Sequence, residues 1–371
     1  MLLWKVLAVE LARMCHTSAT RDIETVARRF EHEGPQFLAV TLPRLAKDLE
    51  KGLELGKVTP YLFDGFHRRG ELPVLLGGFV EKVFDRETGV LLAEPCVDSI
   101  YAVRQLSLFF GKMQPPGDTH PGGPAAMQKF VECEQEVKSF DKSTPEDRFE
   151  RFERMSQLLF RDVFTKLNQA LWVDELIPKH GPGATADRLR GNAKFDQIEW
   201  PSRLESAFPF GEYVLPSHRY SYLLDRVHFL EPGAERPVRV IEVPKTYKTP
   251  RLIAIEPTCM QYAQQAILDT LVPEMERDSF LSPFVGFTYQ EPNQLLAREG
   301  SLHGELATLD LSEASDRVSY QHVLRLIGDN FRWFKAGVDA CRSRKADVPG
   351  HGVIRLAKFA SMGSALCFPF E

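Results

Sequence analysis

Leu306-Ala-Thr-Leu-Asp-Leu-Ser-Glu-Ala-Ser-Asp316 reads as a short apolar strand that carries one carboxylate and then turns into the start of a helix. Asp310 stands inside the apolar run, where an unpaired carboxylate is expensive. A strand-end aspartate of this kind is a metal ligand, a salt-bridge partner or a helix cap. Ser312 or Ser315 can cap the next helix unaided, so capping does not require Asp310. Asp316 falls at the helix start, where the positive end of the helix dipole favours a negative charge. A helix through Ser319-Tyr-Gln-His-Val-Leu-Arg-Leu-Ile-Gly328 is expected next.

Upstream, Val238-Arg-Val-Ile-Glu-Val-Pro-Lys-Thr-Tyr-Lys-Thr-Pro-Arg-Leu-Ile-Ala-Ile-Glu-Pro257 alternates and reads as two strands around a basic turn. The turn presents Lys245 and Lys248, with Arg251 opening the return strand. Three such cations suit a triphosphate, lysine as a point charge and arginine as a bidentate fork. A solvated surface hairpin is the other reading of the same charges. Downstream, Phe359-Ala-Ser-Met-Gly-Ser-Ala-Leu-Cys-Phe-Pro-Phe-Glu371 offers a flexible turn at Ser361, Gly363 and Ser364. Turns of this composition bind phosphate or sugar edges, or simply join elements. Between the two, Arg325 to Lys358 holds eight Lys/Arg against three Asp, including Arg342, Arg344 and Lys345. A groove lined this way tracks a phosphate backbone. A solvated helix and loop remains the alternative for any one of these side chains.

The rest of the chain sets the frame. At 371 residues with 43% apolar and 26% charged side chains, it has the composition of a globular protein of two or three compact units. Its net charge of −5 argues against a wholesale nucleic-acid coat, but not against a local basic channel. The six cysteines are scattered without C-x-x-C or zinc spacing, which reads as free thiols in a reducing compartment. Lys5, Glu10 and Arg13 interrupt the N-terminal apolar stretch, and Leu3, Leu7, Leu11 and Met14 recur at helical spacing. An amphipathic helix is expected there rather than a signal peptide. A second helical region is expected from about Pro145 to Trp172, with Phe152, Met155, Leu159, Val163 and Leu167 on its core face. Gln114 to Pro124 is rich in Pro and Gly and is expected to be loop. From Pro178 onward strands alternate with helices, with a domain boundary placed near Glu231–Pro237.

Together and in this order, the three segments resemble motifs F, A and B of viral RNA polymerases. The nearest likeness is to the replicase beta subunit of levivirus-type, single-stranded RNA phages. That likeness rests on the Lys/Arg run leading into Ile253-Ala-Ile-Glu-Pro257 and on Asp310-Leu-Ser-Glu-Ala-Ser-Asp316. His180-Gly-Pro-Gly-Ala-Thr-Ala-Asp-Arg-Leu-Arg-Gly-Asn192 also looks like the fingers of such replicases. The resemblance implies an α+β, right-hand polymerase fold. Residues 1–175 would be a mostly helical N-terminal region, 176–300 the fingers, and 301–371 a partial palm. It also implies RNA-directed RNA synthesis from an RNA template and NTPs, with two Mg2+ ions. Asp310 then matches the catalytic metal ligand, and Asp316 the aspartate near the incoming ribose. Lys245, Lys248 and Arg251 match the triphosphate contacts, and Ser361 and Gly363 the loop that supports template and nucleotide. Arg342, Arg344 and Lys345 are the candidate RNA contacts. The resemblance further implies the cytoplasm of a bacterial host, no membrane, and partners such as translation elongation factors Tu and Ts.

Two departures from the family pattern stand out. Ser364 and Cys367 occupy positions where the best-known relatives carry Asn and Thr, and Pro369 interrupts the expected motif B helix. The motif C tripeptide Gly-Asp-Asp does not occur in these residues. Ile327-Gly-Asp-Asn330 lies between motifs A and B and reads as a helix terminus. The expectation is therefore a polymerase chain that is C-terminally incomplete and inactive alone. A non-catalytic RNA-binding protein that reuses the fingers is the alternative. A reverse transcriptase shares the palm logic, but Asp316 argues against it, because enzymes that use deoxynucleotides place a bulky residue near the ribose.

Overall fold

The computed structural model describes residues 1–371 except Pro116, Asp118 and Thr119. The chain forms two compact units, Met1–Gly123 with Glu242–Arg251, and Pro124–Ile241 with Leu252–Glu371. The Glu146–Trp172 helix packs in the second unit. Helix and short sheets coexist, as an α+β chain requires. Among the described residues, no helix is long and apolar enough to cross a membrane.

In the first unit, the helices Leu2–Met14, Thr20–Glu33, Leu42–Leu55 and Val97–Leu108 surround a core containing Trp4, Phe37, Phe63, Phe79 and Phe84. The N-terminal helix forms as expected, but its buried face is Trp4, Ala8, Leu11 and Ala12. Leu3 and Met14 are exposed. Trp4 decides the rotation, because its indole is the largest apolar payload on the helix and its Nε1–H reaches Leu106 O at 2.8 Å. Asp22 is buried in this unit, and burial pushes its carboxyl up to about 6. It accepts the Leu76 amide at 2.7 Å and so pins a residue in the left-handed region (φ 58°).

The second unit contains a four-stranded sheet in the order Arg251–Ile255, Val238–Val243, Lys345–Val348, Gly352–Arg355. The two strands expected around the basic turn are thus present as sheet neighbours. Val238–Val243 runs parallel to Lys345–Val348, with Val238 opposite Ala346, and Gly352–Arg355 returns antiparallel. Val238, Val240, Ala254, Ala346 and Val348 face Met127 and Phe130 of the Gly123–Ser143 helix. That helix begins at Gly123, so the loop expected over Gln114–Pro124 is shorter than its composition implied; its residues Pro116, Asp118 and Thr119 lie outside the described residues. Pro124 stands in the first turn, where a missing N–H costs nothing.

A larger core joins the helices Glu146–Trp172, Thr258–Arg277, Tyr320–Ile327 and Arg332–Cys341. The Glu146–Trp172 helix buries Phe149, Val163, Phe164, Leu167 and Leu171, while Phe152 and Met155, expected on the core face, are exposed. A Cβ on Gly337 would meet the Leu171 side chain at 3.0 Å, so glycine sets how closely the Arg332–Cys341 helix approaches it. Ser319, rather than Ser312 or Ser315, caps the Tyr320–Ile327 helix by accepting the Gln321 and His322 amides. Gly328 (φ 72°) closes that helix, so Ile327-Gly-Asp-Asn330 is a helix terminus, as read from the sequence.

Candidate catalytic site

Leu306–Ser312 is not a strand. It makes no backbone–backbone hydrogen bond among the described residues, and Leu309 and Leu311 are 86% and 76% exposed. The physical reason is the lack of a ladder partner. An extended segment with no neighbouring strand gains neither paired amides nor a buried face. Asp310 is accordingly an exposed carboxylate and not the buried one expected. The described residues contain no group of three or more His, Cys, Asp and Glu able to hold a metal ion. A lone carboxylate does not make a Mg2+ site, which draws on several oxygens including substrate phosphates.

Asp316 is differently placed. It lies in the one-turn helix Ala314–Arg317, and its Oδ1 accepts from Lys358 Nζ at 2.8 Å. Lys358 is fully buried. Its ammonium also meets Glu134 Oε1 at 3.1 Å and sits 3.3 Å from the centre of the Phe130 ring. Two carboxylates and an aromatic face together compensate a charge that burial alone would make very costly. Glu134 Oε2 accepts the Ala357 amide at 2.5 Å and the Lys358 amide at 3.2 Å. The Gly123–Ser143 helix adds three more ties. Cys133 Sγ donates to Asp316 O at 3.3 Å, Glu136 pairs with Arg317 at 2.9 Å, and Lys129 pairs with Glu313. It therefore acts as a brace along the Asp316 turn. Nothing in the sequence of this helix advertised the role, and Lys358 was read only as one cation in a basic run.

The C-terminal turn meets the same place. Ser315 Oγ donates to Glu371 Oε2 at 2.8 Å, and Cys367 Sγ approaches Ser315 O at 3.8 Å. Gly363 has φ 131°, and a Cβ there would fall 2.1 Å from Ala254 O, so only glycine fits. Met362 O accepts the Ala254 amide at 2.8 Å, which fixes the turn against the Arg251–Ile255 strand. Ser361 is buried, and its hydroxyl has no partner among the described residues. Ser364 Oγ donates to Gln264 Oε1 at 3.1 Å, which also accepts the Ala365 amide. Asp316, Ser361 and Gly363 are thus built into one packed region.

Lys245, Lys248 and Arg251 are exposed and form no ion pair among the described residues. Their loop is held by His120. The imidazole Nδ1 accepts the Gly122 amide at 2.9 Å, so Nε2 carries the proton and donates to Thr246 O at 2.7 Å. The His120 amide donates to Glu242 Oε2 at 3.3 Å. This histidine sits in the Pro/Gly stretch, where composition gave no sign of it.

Glu256, from the Ile-Ala-Ile-Glu-Pro run, is buried and accepts from Ser343 Oγ. Its backbone carbonyl accepts the Ala186 amide at 2.8 Å, and Thr258 donates to Asp187 at 2.6 Å. The run therefore anchors the glycine-rich segment rather than touching a ligand. Burial pushes the Glu256 carboxyl up to about 7. Because the folded value lies above the unfolded one, its contribution to stability is fully present below about 4.5 and is lost as pH rises through about 7. Glu256→Gln is expected to flatten the pH dependence of the urea midpoint over that window. The variant should gain on the order of 2–3 kcal/mol over the parent at alkaline pH. An unchanged pH profile would remove the burial argument.

Of the candidate RNA contacts Arg342, Arg344 and Lys345, the first departs from the expectation. Arg342 is buried and donates to three carbonyls, Phe359 O at 3.0 Å, Leu356 O at 2.9 Å and Lys358 O at 2.7 Å. Its guanidinium lies 4.1 Å from the centre of the Tyr320 ring. With its donors committed to the fold, it is a structural cation. Arg344 pairs with Asp339 at 3.0 Å, and Lys345 Nζ donates to Gly233 O at 2.6 Å, so both are partly engaged.

Residues 234–371 match the family described as RNA replicase, beta-chain. That segment, about a third of the chain, is similar to replicase beta-chain sequence. It contains Lys245, Lys248, Arg251, Asp310, Asp316, Ser361 and Gly363. The chain is 36% identical over 133 residues to the RNA-directed RNA polymerase subunit beta of Enterobacteria phage SP, covering 36% of this chain and 22% of that protein. It is equally similar to the subunit beta of Escherichia virus Qbeta, covering 21% of that protein. The RNA-directed RNA polymerase beta chain of Escherichia phage MS2 is 33% identical over 132 residues, 23% of its length. The chain therefore spans about a fifth of the length of the curated relatives it matches. The brace helix Gly123–Ser143 lies outside the replicase segment, yet it holds that segment's Asp316 turn.

Proposed function

We propose that this chain is part of an RNA-directed RNA polymerase of the levivirus type, with a right-hand fold of which it carries fingers and part of the palm. One observation carries the reading: residues 234–371 match the RNA replicase, beta-chain family, and the basic loop, Asp310-Leu-Ser-Glu-Ala-Ser-Asp316 and the Ser361–Gly363 turn all fall inside that segment. In this reading Lys245, Lys248 and Arg251 take the triphosphate, Asp316 faces the ribose, and Asp310 is one carboxylate of a Mg2+ site. Mg2+ would supply charge neutralisation at the reacting phosphate. Further oxygens would come from the substrate phosphates. The host cytoplasm and an assembly with host proteins, elongation factors Tu and Ts among them, belong to the same proposal.

The test is templated incorporation of labelled NTPs in Mg2+, comparing residues 1–371 with any longer product of the same gene. Residues 1–371 alone are expected to show no synthesis, because the described residues bring together no group of three or more His, Cys, Asp and Glu able to hold a metal ion. Vigorous synthesis by them would refute that expectation. The exposed Asp310 segment also favours a second reading, a non-catalytic RNA-binding protein. Salt-sensitive RNA binding without Mg2+-dependent synthesis in every product would select it.

A further inference from the structure

The second unit holds a cleft of about 740 Å3 bordered by Lys138, Lys142, Arg325, Arg344 and Arg355, with Arg342 and Tyr320 in its lining. Among the described residues two carboxylates line it, Asp141 and Glu146, and both are engaged. Glu146 pairs with Arg325 at 2.6 Å, and Asp141 accepts from Ser319 Oγ at 2.6 Å. Lys138, Lys142 and Arg355 are exposed and have no ion-pair partner among the described residues. Lys138 and Lys142 share one helix face at i, i+4, where like charges repel unless an anion lies between them and the solvent. Arg342 adds a charge that water screens poorly, since it is buried and no carboxylate pairs with it among the described residues. A chain whose net charge is −5 thus gathers six cations around one concavity, of which Arg325 and Arg344 are held in ion pairs.

The lining also says how a ligand is held. The Tyr320 ring is covered by the Arg342 guanidinium, and its hydroxyl donates to Asp339 Oδ1 at 2.6 Å. Phe149 is buried. With these two rings committed to the fold, the lining offers cations for anionic groups rather than free faces for stacking bases.

We infer that this cleft binds the phosphodiester backbone of a single RNA strand without regard to sequence. The choice of RNA among polyanions rests on the replicase reading; the anion site does not. Two of its cations come from the Gly123–Ser143 helix, outside the replicase segment.

The test uses residues 1–371, a labelled homopolymeric RNA oligonucleotide and fluorescence anisotropy across a KCl series. The parent is expected to bind with an affinity that falls as salt rises. Lys138→Gln/Lys142→Gln/Arg355→Gln should weaken binding roughly tenfold or more and flatten the slope of log K against log[salt] by about 2. All three positions are exposed, so its circular dichroism and melting temperature should match the parent. Three results would overturn the inference. These are an unchanged affinity and slope in the variant, no binding by the parent at low salt, or displacement by sodium triphosphate as effective per phosphate as by unlabelled RNA. The last would make the cleft a site for free polyphosphate. Synthesis is not read in this experiment. RNA binding lost in the variant but no incorporation by any product would sink the polymerase reading alone, and the converse would sink the cleft alone.

Discussion

Lys358→Met is expected to destabilise the second unit by about 3–5 kcal/mol, the loss typical when one partner of a buried ion pair is removed. The ammonium is 0% exposed and stands between Glu134 and Asp316 over the Phe130 ring. Methionine fills similar space but leaves Glu134 as a buried carboxylate without its cation. A double substitution separates charge from shape. Glu134→Gln keeps an oxygen for the Ala357 and Lys358 amides, so Lys358→Met/Glu134→Gln should recover most of the loss. Urea denaturation followed by circular dichroism reads both. A loss below about 1 kcal/mol for the single variant, in the range of a surface pair, would show that the ammonium is not buried as described.

Asp310→Asn should have the largest effect on chemistry and almost none on the fold. The side chain is exposed, so stability is expected to stay within about 0.5 kcal/mol of the parent. In whichever product of the gene carries out templated synthesis, the proposed metal-facing role predicts that the substitution lowers the rate by about a thousandfold or more, because a neutral amide would not replace a carboxylate on a metal ion. RNA binding, measured by anisotropy, should be unchanged, since the cations of the cleft are elsewhere in the sequence. Near-parental synthesis by the variant would refute the metal-facing role of Asp310 while leaving the family match of residues 234–371 untouched.

What the residues alone disclosed follows from which interactions are local. The basic turn is legible because alternation on both sides and two prolines define a pair of strands, and Val238–Val243 and Arg251–Ile255 are there. The helix after Ser319 is legible from periodicity. The Leu306–Ser312 strand was misread because a strand is a property of its neighbours as well as of its own residues. The core faces of the Leu2–Met14 and Glu146–Trp172 helices were each assigned by spacing, and packing chose different rotations. In the site, residue type pointed to Asp316 but could not reveal Lys358 or Glu134, which reach it across large sequence separations. Arg342 shows the opposite error. A cation in a basic run looks like a ligand contact until three carbonyls claim its donors.

The bare Leu306–Leu311 segment has a consequence for the behaviour of the chain in solution. Unpaired amides beside exposed leucines form a template onto which the same segment of another copy can add as a strand. Such a segment is restrained chiefly by charges placed within and beside it, here Glu305, Asp310 and Glu313. Asp310→Asn is therefore also expected to promote self-association. Neutralising Asp310 removes the charge at the centre of the segment, and light scattering has to accompany the assay of Asp310→Asn so that lost synthesis is not confused with self-association.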